Sequence, residues 1–332
     1  MLLANDGGHL FLDKKGRPVE VPRALAPLAD THGHLTSFRS MEPSEAIARA
    51  SLAGVRLLVV PVDPADDIQD VPSFLGWLHN VVQGAKELLA AHGGAQPQNG
   101  HFEGGAWDDA PELCDNVRFL CGVHPYGART FMEDRSVRQR MEKLLRHPLC
   151  VGVGEFGLDY GPWNELPAQV QMDAFREQLR MAHELDMPVE LHIRDAEGDD
   201  ASQAHADALR VLEEEGVPAA GCDLHCFTSG PEVMDPFVRL GCHIAFGGAA
   251  TFARTASIRK AAARCPESLI LSETDCPYMA PVPLRGRECE PAMVAFTVAR
   301  VAQVREEAGL ATEQQTYDAL WHNANAFFGL LS

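Results

Sequence analysis

The sequence has no apolar run of the roughly 18 residues that a membrane-spanning helix needs, so no span is expected. It has no Cys-x-x-Cys pair. Its nine cysteines are scattered, most of them inside apolar runs (Cys121, Cys150, Cys222, Cys242), and read as reduced core thiols of a cytosolic protein rather than a disulfide framework. Basic residues are few: 28 Lys and Arg stand against 47 Asp and Glu, a net charge of −19. That balance excludes a histone-like or polybasic nucleic-acid binder. It leaves open an enzyme that takes a nucleic-acid end through bound metal ions, because the charge of a site can oppose the net charge. Internal repeats and an extended basic-aromatic stripe are both missing. The start, Met1-Leu2-Leu3-Ala4-Asn5-Asp6, lacks a basic segment followed by a long apolar one, so a cytoplasmic location is expected. With 46% apolar and 23% charged residues over 332 positions, the chain is globular and long enough to bury a large core.

Short apolar runs alternate with longer amphipathic stretches. The runs begin near Ala24, Val55, Val117, Leu149, Pro188, Cys222, Cys242 and Leu269, each too short for a helix and bounded by turn or polar residues. Helical patterns lie between them, as in Val170 to Leu185 and in a long helix at about 72–92. Eight strands alternating with helices predict an α/β fold, a (β/α)₈ TIM barrel. A doubly wound open sheet suits the spread of polar strand ends less well. Residues 1–23 read as an N-terminal arm, a short hairpin turning at Asp13–Pro18, and residues 24–332 as one barrel domain. The Gly-rich segment 93–116 reads as a surface insertion after the second strand. Helices at about 290–309 and 312–329 close the chain.

The ionisable residues gather at strand ends. His32 and His34 end strand 1, His124 strand 3, Glu155 strand 4, His192 strand 5, His225 strand 6 and Asp275 strand 8. Glu190, Asp223 and Glu273 share the faces of His192, His225 and Asp275, since side chains alternate along a strand. A lone histidine at a strand end is usually a hydrogen-bonded structural residue, and Asp275 alone suits a helix cap. Together they place four imidazoles and two carboxylates around the C-terminal mouth, where barrel active sites lie. That is enough to hold two divalent metals about 3.5–4 Å apart. Mixed N and O donors fit Mg²⁺, Mn²⁺ or Zn²⁺.

These residues sit in segments that resemble the TatD-type metal-dependent deoxyribonucleases. The segments are Asp30-Thr31-His32-Gly33-His34-Leu35, Gly122-Val123-His124-Pro125, Val153-Gly154-Glu155-Phe156-Gly157-Leu158-Asp159-Tyr160, Pro188 to Ala196, His225 to Gly230, Glu273 to Tyr278, Pro281 to Gly286 and Glu290-Pro291. They occur in the family's order over about 26–330. The resemblance implies that His32 and His34 bind the first metal and that Glu155 bridges both. It implies that His192 and His225 bind the second, and that Asp275 is a first-metal ligand able to take a proton from water. His124 resembles the phosphate-site histidine, and Arg194 and Arg285 are candidate phosphate contacts. Gly33 stands where the family often has Cys or Ser, and Tyr126 where His is frequent. The insertion and the arm are extra, and the insertion is placed to cover the site.

The mechanism this implies is metal-assisted hydrolysis. A metal lowers the pKa of bound water from about 15.7 toward 7, and Asp275 accepts its proton. Glu273 and Asp223 are expected to orient ligands, with a buried structural hydrogen bond as the alternative for Glu273. Phe227 and Tyr278 read either as rim packing or as stacking surfaces for a base. His79, His92, His101, His183 and His205 read as surface residues. The expected activity is a 3′-to-5′ exodeoxyribonuclease acting on DNA ends or short single strands, with no membrane and no obligate protein partner. A small-molecule amidohydrolase on the same barrel is the second reading. Many such enzymes bridge their metals with a modified Lys after strand 4; Glu155 stands there, with no Lys near it. A non-catalytic metal binder is the third, and it would usually have lost a ligand.

Overall fold

The computed structural model describes residues 9–93 and 106–331. Its main sheet has eight strands: β1 (Leu28–Asp30), β2 (Val55–Val62), β3 (Val117–Cys121), β4 (Cys150–Asp159), β5 (Val189–Arg194), β6 (Cys222–Leu224), β7 (His243–Phe246) and β8 (Ile270–Ser272). All pairings are parallel, and neighbours in the sheet are neighbours in the chain. Helices supply the crossovers that parallel pairing requires. The segment after β8 returns to β1 and closes the ring. Thr31 N donates to Ser272 O at 3.1 Å, Asp275 N donates to His32 O at 2.9 Å, and Gly33 bridges Cys276. The fold is the (β/α)₈ barrel that the alternation predicts.

Strand β2 (VRLLVVPV) is buried at every position. It shows no alternation because helices cover its outer face and the barrel interior fills the inner one. The following helix, Val71–His92, starts where Asp70 accepts from Ser73 N and stops at Gly93, whose φ of 101° suits glycine. Inside the barrel, Ala29, Leu57, Val59, Leu120, Val151, Ala245 and Leu271 form an apolar layer closed by Phe327 and Phe328 of the last helix, Glu313–Phe327, and its cap. Nearer the mouth the interior turns polar, with Asp30, Glu190, Asp223 and Glu273 fully buried. Oily packing at one end thus supports a charged layer at the other.

The hairpin pairs Phe11–Leu12 with Pro18–Val19. It is anchored to the barrel: Phe11 packs on Phe296 at 5.7 Å, and Arg49 donates to Leu10 O while pairing with Glu290 at 2.7 Å. Of the insertion, residues 94–105 lie outside the described residues. The remainder places Trp107 against Arg56 at 5.7 Å, and Asn116 donates to Arg56 O at 2.8 Å. Arg56 is the second residue of β2, so this part packs at the barrel end opposite the mouth. The expectation that the insertion covers the site is not met by residues 106–116.

Candidate metal centre

Strand β4 carries the central carboxylate on a bulge. Val153 pairs with Val189 and Phe156 with Leu191, so β4 spends one more residue than β5 over that stretch. Bulges re-aim side chains in this way. Glu155 sits within it, between glycines that allow close backbone approach. A Cβ on Gly154 would lie 2.8 Å from Glu190 Cβ, and one on Gly122 would lie 2.7 Å from Gly154 C. Gly33 between the first two histidines is closely packed, since a Cβ there would meet Cys276 Sγ at 2.9 Å and Asp30 Oδ2 at 3.2 Å.

The Glu155 carboxylate faces two ways. Its Oε1 lies 3.4 Å from His34 Nε2 and 3.8 Å from His32 Nε2. Asp275 Oδ1 lies 3.7 and 3.9 Å from the same two nitrogens. On the other side, Oε2 lies 2.9 Å from His225 Nε2 and 3.0 Å from His192 Nδ1. His32, His34, Glu155, His192, His225 and Asp275 therefore converge, as the strand-end pattern expects. His32, His34 and Glu155 form one donor set compact enough for an ion; His124, Glu155 and His192 form a second, and His32, His225 and Glu273 a third.

Hydrogen bonding orients three of these rings. His32 Nδ1 is 2.6 Å from Glu190 Oε1, which leaves Nε2 pointing into the cluster. His192 Nε2 is 3.1 Å from Asp159 Oδ2, which leaves Nδ1 facing Glu155. Carboxylates behind imidazoles commonly set ligand tautomers in this manner. His124 is different: its Nδ1 accepts from Tyr126 N at 3.2 Å, so the neutral ring carries its proton on Nε2. In this tautomer the ring donates a hydrogen bond rather than ligating, which leaves Glu155 and His192 as the ligating members of the second set.

Burial dominates the electrostatics. It lowers His32 well below the ordinary imidazole value, with the His225 charge adding to the effect, and lowers His124 to about 3. Both are neutral rings. Burial raises Glu190, with Asp223 and Glu273 adding repulsion, and raises Asp223 to about 8. Burial also pushes Glu155 up, but His225 and His192 outweigh it and hold the carboxyl well below its ordinary value. His32 Nε2 and His34 Nε2 stand only 3.0 Å apart beside two carboxylates. Nitrogen lone pairs and carboxylate oxygens gathered at such spacing fit a divalent cation of the Mg²⁺, Mn²⁺ or Zn²⁺ kind.

The remaining expected residues are distributed around this centre. Glu273 accepts from Cys226 N and places Oε2 3.9 Å from His225 Nδ1. Asp223 is fully buried and makes no hydrogen bond to an imidazole; neither of its oxygens has a side-chain partner among the described residues. Arg194 lies 3.5 Å from Asp159, and exposed Arg285 rests on the Phe252 ring at 4.3 Å. Tyr278 is exposed at 6.2 Å from His34, but Phe227 is buried against Phe246 and His205 and offers no stacking face to a ligand. His205, expected on the surface, is buried with Nδ1 2.6 Å from Asp195 Oδ2. Sequence reasoning gave no role to Glu190 and Asp159, the two carboxylates that orient ring nitrogens. The signal was spacing: Glu190 lies two residues before His192, and Asp159 four residues after Glu155 on the same strand.

Residues 29–329 match the family described as TatD related DNase. The chain belongs to the TatD family. A TatD-family barrel of this kind is a metal-dependent hydrolase. One relative, from Bacillus subtilis (strain 168), bears the name metal-dependent hydrolase YabD; it is 33% identical over 280 residues, covering 84% of this chain and 91% of its own. Another, from Citrobacter koseri, is named 3′-5′ ssDNA/RNA exonuclease TatD and is 36% identical over 200 residues, 57% of this chain and 73% of that one. Among solved structures, the TatD homologue YJJV of Escherichia coli K12 superposes with a TM-score of 0.69, at 23% identity, over 92% of this chain and all of that one. This TatD-family chain has no helix, among its described residues, long and apolar enough to cross a membrane.

Proposed function

We propose that this TatD-family hydrolase is a 3′-to-5′ exonuclease on single-stranded DNA ends, holding two divalent metals at its mouth. The observation that carries this reading is the two-faced Glu155 carboxylate, with His32 and His34 beside one oxygen, Asp275 against the same two rings, and His192 and His225 beside the other oxygen. In the proposal the first group binds one ion and the second group the other. Bound there, divalent ions supply positive charge for the phosphodiester and the developing alkoxide, and acidify water. The name of the Citrobacter koseri relative supports the substrate class.

The chain's own residues then divide the work. Glu190 and Asp159 hold His32 and His192 with the correct nitrogens inward. His124, neutral with its proton on Nε2, donates a hydrogen bond to a non-bridging phosphoryl oxygen. Asp275, at the mouth beside His34, takes the proton of the attacking water. Water oxygen bonds to phosphorus, the bond from phosphorus to O3′ breaks, O3′ takes a proton from solvent as the new strand end, and Asp275 releases its proton to solvent. Arg194 and Arg285 stand at the rim for further phosphates.

The test is release of mononucleotides from 3′-labelled and 5′-labelled single-stranded DNA with Mg²⁺, Mn²⁺ or EDTA. Release from the 3′ end, abolished by EDTA and reduced at least ~100-fold by Asp275→Asn, is expected. No release by metal-loaded protein would overturn the reading.

A further inference from the structure

Eight large apolar side chains are exposed among the described residues, and the three aromatic ones all lie in segments that follow strands at the barrel mouth: Tyr126 (48%), Trp163 (73%) and Tyr278 (51%). Two of them stand on the His192 side and are tied to it by a chain of contacts. The His192 and His124 rings lie 4.3 Å apart, and the His124 and Tyr126 rings also 4.3 Å. From the other nitrogen of His192, Asp159 leads to Arg194 at 3.5 Å, and the Arg194 guanidinium lies over the Trp163 ring at 5.5 Å. Asp159 and Arg194 are also among the groups that act electrostatically on the Tyr126 phenol.

This arrangement is held firmly. Tyr160 N donates to Arg194 O at 2.8 Å. Gly161 lets the loop after β4 lie against the arginine, since a Cβ there would meet Arg194 Cδ at 2.8 Å. A fixed loop thus keeps an indole largely in solvent, with a cation against it, at the edge of the candidate centre. Leaving an indole in water costs hydrophobic free energy that burial in the core would recover.

We propose that Trp163 and Tyr126, joined by Arg194, form a stacking platform for the bases of a single-stranded oligonucleotide whose end phosphodiester sits at Glu155. The proposal rests on the nuclease reading above and adds the path and specificity of the strand. Every base has a π face, so stacking binds strands without choosing sequence, and a cation between aromatic rings serves the phosphates that run between bases. The chain's −19 charge makes this more important, because general electrostatic attraction to nucleic acid is absent. Duplex bases are stacked on one another and cannot use such a platform, so the strand must be single. The apolar groove on the opposite flank, about 480 Å³ between Phe38 and Trp77, is edged by Asp67 and Asp70, whose charges repel a phosphate backbone.

The experiment is binding of 5′-labelled, phosphorothioate-linked dT8 to the metal-loaded protein, read by fluorescence anisotropy, with a dT8·dA8 duplex in parallel. Wild type is expected to prefer the single strand. Trp163→Ala is expected to weaken its binding about tenfold and Tyr126→Ala several-fold, whereas Trp163→Phe, which keeps a π face, restores most of it. Hydrolysis of bis(p-nitrophenyl) phosphate, which has no bases to stack, is measured on wild type separately. Equal affinity of wild type and both alanine variants overturns the platform even if hydrolysis is normal. Affinity without a preference for the single strand also overturns it. Loss of wild-type hydrolysis with Trp163-dependent binding intact would sink the nuclease reading instead and leave the platform standing.

Discussion

His32 Nδ1 lies 2.6 Å from Glu190 Oε1, both fully buried, and this contact decides which nitrogen His32 turns into the barrel mouth. Asp159 does the same for His192 from the opposite side. Each pair couples a strand position to the chemistry available at the centre. Glu190→Gln and Asp159→Asn are each expected to weaken divalent-metal binding by about 10–100-fold. Titration with a fluorescent metal competitor measures it; affinities matching wild type would remove both residues from this role.

The position of Glu155 between two donor groups predicts a stoichiometry. Elemental analysis after dialysis should find two divalent ions per wild-type chain, one in His34→Ala, and fewer than one in Glu155→Ala. Added metal at about 100 times its Kd should stabilise wild type by about 2.7 kcal/mol per site and Glu155→Ala by far less. Two ions retained by Glu155→Ala would rule out a shared carboxylate.

Gly157 has a φ of 150°, and a Cβ there would stand only 2.1 Å from His192 O. No side-chain rotation relieves a clash with backbone. Gly157→Ala should therefore push β4 away from β5 and cost about 3 kcal/mol, seen as a fall in Tm and in metal content together. Gly241→Ala, a positive-φ glycine with open space around it, is the comparison and should cost less. Similar losses in the two variants would show that the backbone approach at Gly157 is not special.

Asp195 binds the start of the helix Gln203–Glu215, accepting from Ala204 N at 2.8 Å and His205 Nδ1 at 2.6 Å. Burial raises its carboxyl, but the His205 hydrogen bond and charge outweigh that and hold it below the ordinary value. A depressed pKa contributes stability above the unfolded value of about 3.9, which is lost as pH falls through the folded pKa. Asp195→Asn should lower stability by about 1–2 kcal/mol near neutral pH and converge on wild type in acid. Melting curves at several pH values check this; a deficit that stays constant with pH would count against it.

The sequence carried the barrel unusually far, for a reason that is local. Apolar runs such as VRLLVVPV at 55–62 are buried on both sides, so they read as strands without knowledge of their neighbours. The helix at 71–92 carries its own cap in Asp70 and its own stop in Gly93. Strand-end histidines and acids were legible as well, because a (β/α)₈ barrel brings equivalent strand ends to one mouth. Residues 29–329 matching the TatD family agree with the motifs on which the resemblance rested.

What the sequence left undetermined depends on distances between residues far apart in the chain. Glu190 and His32 are 158 positions apart, and only closure of the ring makes them a hydrogen-bonded pair. The bulge at Glu155 appears only when β4 is laid against β5, since register is a property of two strands. His205 and Phe227 look like surface and rim residues until the helices pack over them. Composition and periodicity therefore determined which elements form and which side chains could do chemistry. Tertiary packing decided which nitrogen faces the mouth, which carboxylate stands behind it and which aromatics remain in water, because those follow from contacts that no local pattern encodes.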